Sequence, residues 1–178
     1  MRMRNTDSLA KTKILAVSTM ALLIAVDQII KHWAITQLLP VWRIPVIPDF
    51  FYLTYVRNTG AAFGILQNQR VLLSVLVILI IAAGLYFILS GYVKERFIIW
   101  TGAIILAGGA GNLIDRITRG YVIDYLDFSV LFNFPVFNFA DCCVVVGTIL
   151  LVIYLLKTDN ALRQREAHER GNTDSESP

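Results

Sequence analysis

At 178 residues and 20.0 kDa, with 56% hydrophobic residues and a mean hydropathy of +0.62, the chain has room for one domain and is too apolar for an ordinary soluble one. The formal charge of +3 and a pI near 9.0 would suit a nucleic-acid binder, but the basic residues gather at the termini and in one short turn, so no nucleic-acid partner is expected. Cys142 and Cys143 are adjacent in an apolar run, which fits small buried hydrophobes better than a disulfide framework or a metal site.

The lead from Met1 to Lys13 carries Arg2, Arg4, Lys11 and Lys13 against Asp7 and is expected to be a poorly ordered, cytoplasmic segment. A first spanning helix follows from Ile14 to about Leu39, too long an apolar run for a cleavable signal peptide. Asp27 interrupts it, with Lys31 one turn on along the same face and expected to snorkel outward beside Trp33 and His32. A structural ion pair and a direct part in chemistry are both open for Asp27. Pro40, Pro45 and Pro48 end the helix, because proline lacks an N–H and biases its predecessor toward extended geometry. The aromatic and β-branched run FFYLTYVR, Phe50 to Arg57, predicts short strands at the outer membrane interface. Asn58, Thr59 and Gly60 break that run, and Ala61 to Gln69 reads as a short interfacial helix.

Val71 to Val93 contains no charge and gives the cleanest span, closed by Gly91 and the Lys94, Glu95, Arg96 turn. The third span covers Phe97 to about Ile117, with Gly102, Gly108, Gly109 and Gly111 along it. Glycines at that density serve close helix packing or a groove for a ligand backbone. The fourth span runs from about Phe139 to Leu156. The expected fold is therefore an all-α membrane domain over residues 1–157, four helices with a small extracytoplasmic β-structured segment, and a polar tail over 158–178, disordered or loosely helical. The distribution of Lys and Arg puts both termini inside and the two longer loops outside.

One stretch, Gly108 to Asp141, holds four carboxylates, two arginines and three asparagines between runs that look built for lipid. Charge near a bilayer core costs roughly 2.5 to 3.5 kcal/mol on insertion scales, so it marks ion paths or reactions. Several chemistries are missing their parts. The only histidines are His32 and His168, there is no HExxH, no serine in a glycine-rich turn facing a histidine, and no phosphate-binding loop. Carboxylates remain, and Asp124 and Asp141 are the candidate catalytic pair. Two carboxyls set close together cannot both ionise cheaply, so one donates a proton while the other activates water. Spacing alone does not bring them together, but neighbouring antiparallel helices meeting at their outer ends would. Asn112 and Arg116 share a helix face toward this cluster, where Arg116 binds a phosphate or carbonyl, or pairs with Asp115, Asp124 or Asp127. Asp115 and Asp127 are weaker candidates, as interfacial aspartates are often only solvated. Asn138 either caps the fourth helix or orients Asp141, and the two roles are compatible.

Four blocks carry a resemblance: DQIIK from Asp27, YVRNTGAAFG from Tyr55, GGAGNLIDRITRGYVIDY from Gly108 and FNFAD from Phe137. In these, and in their order, the chain resembles lipoprotein signal peptidase, also called signal peptidase II, the bacterial intramembrane aspartic protease. The resemblance implies that Asp124 and Asp141 are the dyad, that Asn58, Gly108, Asn112, Arg116 and Asn138 line or support the site, and that Asp27 is a further motif position. It implies a diacylglyceryl-modified prolipoprotein as substrate, cut on the amino side of the lipidated cysteine, with neither metal nor cofactor, at the outer side of the cytoplasmic membrane. The working unit is expected to be a monomer among membrane lipids. The helix glycines would then form a groove for the substrate backbone. Tyr125 stands where phenylalanine is common, and the tail lies outside the resemblance. The competing readings are a proton-coupled carrier relaying protons through Asp27, Asp124 and Asp141, and a non-enzymatic scaffold; the clustering of polar residues at one end favours neither.

Overall fold

The computed structural model describes residues 2–60, 65–129 and 134–175, with backbone alone for 2–6 and 165–175. Four helices, α1 (Arg2–Trp33), α2 (Arg70–Ser90), α3 (Arg96–Thr118) and α4 (Phe139–Ser175), are each long and apolar enough to cross a membrane. They leave large apolar side chains such as Ile14, Leu22, Leu79 and Ile149 exposed on their outer faces. In water such surfaces would be unfavourable; against lipid tails they cost nothing.

α3 is the axis of the bundle and packs against α1, α2 and α4. Its small residues explain why. A Cβ on Gly108 would collide with the carbonyl oxygen of Ala140 and with Val144 on α4, so glycine there permits near-contact of the two backbones. On the next turn Gly111 makes room for a side chain instead: an added Cβ would lie 2.5 Å from Asp27 Oδ2 of α1. Gly108 and Gly111 thus close seams between helices, and none of the α3 glycines borders the cavity described below, so the expected groove for a substrate backbone does not lie along them.

α1 begins at Arg2, earlier than expected, because the lead is tied down: Arg96 Nη2 donates to Ser8 Oγ at 2.5 Å and Lys13 Nζ to the carbonyl of Leu89 at 3.1 Å. At its other end α1 widens into a π-helical turn, Ala34–Leu38, before Pro40 stops it. α2 stops at Gly91, whose φ of 89° is left-handed. α4 continues well past Leu156 to Ser175; Ala161, Leu162, Arg163 and Gln164 are good helix formers, so propensity carries the helix on where hydropathy ends.

Three strands, β1 (Arg43–Ile47), β2 (Phe51–Asn58) and β3 (Val122–Asp127), form an antiparallel sheet in the order β1-β2-β3. Pro45 is tolerated because β1 is an edge strand, and the pairing shifts register beside it. β3, between α3 and α4, went unread in the sequence; it pairs Val56 with Asp124 and Asn58 with Val122. Tyr55, Ile123 and Tyr125 pack into one core with Ala34 and Leu38 of the π-turn, which seats the sheet on the end of α1. Of the expected interfacial helix, residues 61–64 lie outside the described residues and 65–68 form a turn, with Leu66 and Asn68 at positive φ.

Candidate active site

Asp124 sits in the middle of β3, and strand alternation turns it away from the core residues Ile123 and Tyr125. Asp141 lies in the first turn of α4. Asn138 starts that helix with a reciprocal cap: its Oδ1 accepts from the Asp141 N–H at 2.9 Å, and Asp141 Oδ2 accepts from the Asn138 N–H at 3.1 Å. The same asparagine, fully buried, donates from Nδ2 to Asp124 Oδ1 at 2.6 Å. One residue therefore touches both carboxylates, Asp124 through its side chain and Asp141 through its main-chain N–H, although one acid is on a strand and the other on a helix.

The remaining donors are also neutral amides. Asn58 Nδ2 donates to Asp124 Oδ2 at 2.9 Å, while its Oδ1 accepts from the Gly60 N–H at 2.9 Å, so it shapes the turn and holds the acid together. Asn112 Nδ2 donates to Asp141 Oδ1 at 2.8 Å. Among the described residues each of the four carboxylate oxygens thus has one N–H donor, and an oxygen with two lone pairs has room for a second. Asp124 lies outside the spans. Burial first, and then the charge of Asp141, push its carboxyl up to about 6 against the pull of the Asn58 and Asn138 donors.

Both acids border a cavity of ≈ 780 Å³, with Asn58, Asn112 and Arg116 on its polar side and Phe134, Phe137 and Val144 among its apolar lining. Arg116 reaches across to the carbonyl of Gly60 with Nη2 at 2.9 Å and, among the described residues, pairs with no acid within 4.0 Å. The ion pair open to it goes elsewhere: Arg119 takes Asp115 and Arg43 takes Asp127. Gly108 is in the α3–α4 seam and does not line the cavity. Cys142 lines it and Cys143 is buried, both as free thiols.

Asp27 lies behind this site, paired with Lys31 at 2.9 Å and accepting the Ala140 N–H at 3.1 Å. The expectation that Lys31 snorkels is wrong: its side chain is fully buried, and a second carboxylate, Asp115, holds it at 2.9 Å. Asp115 and Asp127 are not merely solvated either, at 0% and 3% exposure. Asp127 takes Thr54 Oγ1 at 2.6 Å and the Ser129 N–H at 2.9 Å. Burial works against its charge, but the Ser129 and Thr54 donors and Arg43 hold its carboxyl below the usual range. Sequence reasoning missed Lys31 and Asp115 as partners because a lysine on α1 and an aspartate on α3 reveal nothing of their mutual distance. Among the described residues no group of three or more His, Cys, Asp or Glu is arranged to hold a metal ion.

A sequence profile described as Signal peptidase (SPase) II matches residues 19–157, a stretch that includes every residue above from Asp27 to Asp141. This chain belongs to the signal peptidase II family. Members of that family are proteases. The lipoprotein signal peptidase of Clostridioides difficile (strain 630) is 45% identical over 136 residues, 76% of this chain and 90% of that protein. That of Streptococcus thermophilus (strain CNRZ 1066) is 40% identical over 138 residues, 78% of this chain and 90% of that protein. Two solved structures of a bacterial membrane enzyme, obtained by the in meso method, share the fold at 34% identity. Their TM-scores are 0.72 and 0.71, and each covers 83% of this chain and, respectively, 88% and 94% of its own.

Proposed function

We propose that this signal peptidase II family member is an intramembrane aspartic endopeptidase in which Asp124 and Asp141 activate one water. The observation that carries the reading is the sharing of Asn138 between two acids that border one cavity, with neutral amides as their only donors among the described residues. An acid paired to a cation has its oxygens committed to the ion pair. An acid held by amides can still take or release a proton, and two such acids beside one another share one proton near neutral pH.

The chemistry then runs in two steps. The ionised carboxylate takes a proton from water as its oxygen attacks the scissile carbonyl, while the protonated partner gives its proton to the developing oxyanion. Collapse of the tetrahedral intermediate returns a proton to the leaving nitrogen, breaking the C–N bond and giving a new carboxylate and a free amine. Asn58, Asn112 and Asn138 keep both carboxyls turned toward the water, and Arg116 holds the Gly60 carbonyl at the cavity wall.

The substrate in this reading is a diacylglyceryl-modified prolipoprotein, cut on the amino side of the lipidated cysteine. The apolar lining of the cavity suits a lipid-bearing peptide whose acyl chains fix the depth of the scissile bond. The basic termini and the Lys94 to Arg96 turn favour the cytoplasmic side, which puts the acids toward the outer side of the bacterial inner membrane. The working unit in this reading is a monomer without a cofactor. Cells whose own lipoprotein signal peptidase is absent test the reading. With the wild-type chain they should mature a reporter prolipoprotein. With Asp141→Asn, present in the membrane at equal amount, they should accumulate the diacylglyceryl-modified, uncut form, and normal maturation by the variant overturns the reading.

A further inference from the structure

Lys31 has three ammonium protons and three acceptors: Asp27 Oδ2 at 2.9 Å, Asp115 Oδ2 at 2.9 Å and Asn112 Oδ1 at 2.8 Å. None of the side chain is exposed. A lone buried ammonium would be costly, and here two carboxylates and the nearby guanidinium of Arg119, 2.6 Å from Asp115 Oδ1, leave the cluster with two positive and two negative charges. Neutrality explains how the cluster survives. It does not explain what the three arms of Lys31 reach.

Each arm ends next to the site. Asp27 Oδ1 accepts the N–H of Ala140, the residue immediately before Asp141, at 3.1 Å. Asp115 Oδ2 accepts the N–H of Ile123, the residue immediately before Asp124, at 3.2 Å. Asn112, the third acceptor, donates to Asp141 itself. The ammonium also settles which way the Asn112 carboxamide faces. Turned over, it would bring NH2 against the Lys31 ammonium and the Asn138 amide, and present an oxygen to a carboxylate oxygen of Asp141.

We infer that Lys31 is a positioning residue for the reaction: through Asp27, Asp115 and Asn112 it sets the separation and the donor pattern of the Asp124–Asp141 pair without touching substrate. The inference rests on the reading of those two acids as catalytic. It differs from a plain structural ion pair in what its loss does. A structural pair, once its charge is balanced in another way, can be replaced at little cost to turnover, whereas a positioning group cannot.

The test uses the full-length protein in detergent micelles with a synthetic diacylglyceryl-modified prolipoprotein peptide. Lys31→Met removes all three donors. Lys31→Met with Asp27→Asn removes them while keeping the cluster neutral, so it remains readable if the single variant fails to fold. Lys31→Gln keeps one N–H for Asn112. In folded Lys31→Met or the double variant kcat should fall about 100-fold, as expected for a misplaced reacting group, with KM within about twofold of wild type. Lys31→Gln should recover part of that loss. Wild-type kcat in the double variant, a rise in KM at unchanged kcat, or equal rates for Met and Gln at position 31 each overturn the inference. Asp124→Asn and Asp141→Asn are run alongside. If they abolish cleavage while the folded Lys31 variants keep wild-type kcat, the positioning role alone fails; if they cleave normally, the catalytic reading fails with it.

Discussion

Asp27 and Asp115 lie fully buried against cations, with Lys31 between them and Arg119 beyond; Asp124 and Asp141, one turn or strand away, border a cavity and, among the described residues, receive only amide N–H groups. Both pairs are aspartates at the same end of the bundle. What separates them is the partner. A cation takes up an acid's oxygens in an ion pair and makes it a brace, while a neutral amide orients the acid and leaves room on it for water. In an apolar bundle, then, the charge state of an acid's neighbours says more about its task than its depth does.

The comparison breaks most visibly at Asp141. Asp141→Asn keeps the shape and can still be capped by Asn138, so its melting temperature should stay near wild type while the cleavage rate drops about ten-thousandfold, as measured by peptide release. On the other side of the comparison, Asp115→Ala strips Lys31 and Arg119 of a shared partner and frees the Ile123 N–H. It should cost about 3–5 kcal/mol, read as an early melt in detergent. Gly111→Ala sharpens the contrast at smaller scale. Its methyl would press on the ion-paired Asp27 and cost about 1–3 kcal/mol, whereas Gly109→Ala, with Val77 at 3.8 Å as its nearest neighbour, should be neutral or slightly stabilising.

The smallest effect is a pH shift. Asn58 donates to Asp124 and so favours the ionised form, pulling down a carboxyl that burial and Asp141 have raised to about 6. Asn58→Ala removes that pull, so the pair keeps its shared proton to higher pH. The alkaline limb of the kcat profile should move up by about half a pH unit, a fraction of one hydrogen bond's worth.

Much of the architecture was legible because hydropathy and caps are local. The uncharged run from Val71 and the left-handed Gly91 define α2, and prolines mark where α1 must end. The acids of the site could be singled out because charge is conspicuous among apolar residues. What was not legible depends on distance through space. Lys31 looks like a snorkelling lysine until α3 brings Asp115 to it. β3 is short, follows a helix directly and carries two aspartates, so VIDYLD reads as loop; only the pairing with β2 makes it a strand, although Val122, Ile123 and Tyr125 after Gly120 were a usable signal. Of the α3 glycines, Gly108 is a site of close backbone approach, but sequence cannot say whether the approaching backbone is a helix or a ligand.

Cleavage rate and melting temperature, measured together on purified Asp124→Asn and Asp115→Asn, test the division between the two pairs most directly. The account predicts a folded, inactive protein for Asp124→Asn, whose melt falls by less than that of Asp115→Asn, where a partner of two cations is lost. Cleavage of a diacylglyceryl-modified peptide by Asp124→Asn at the wild-type rate would contradict it.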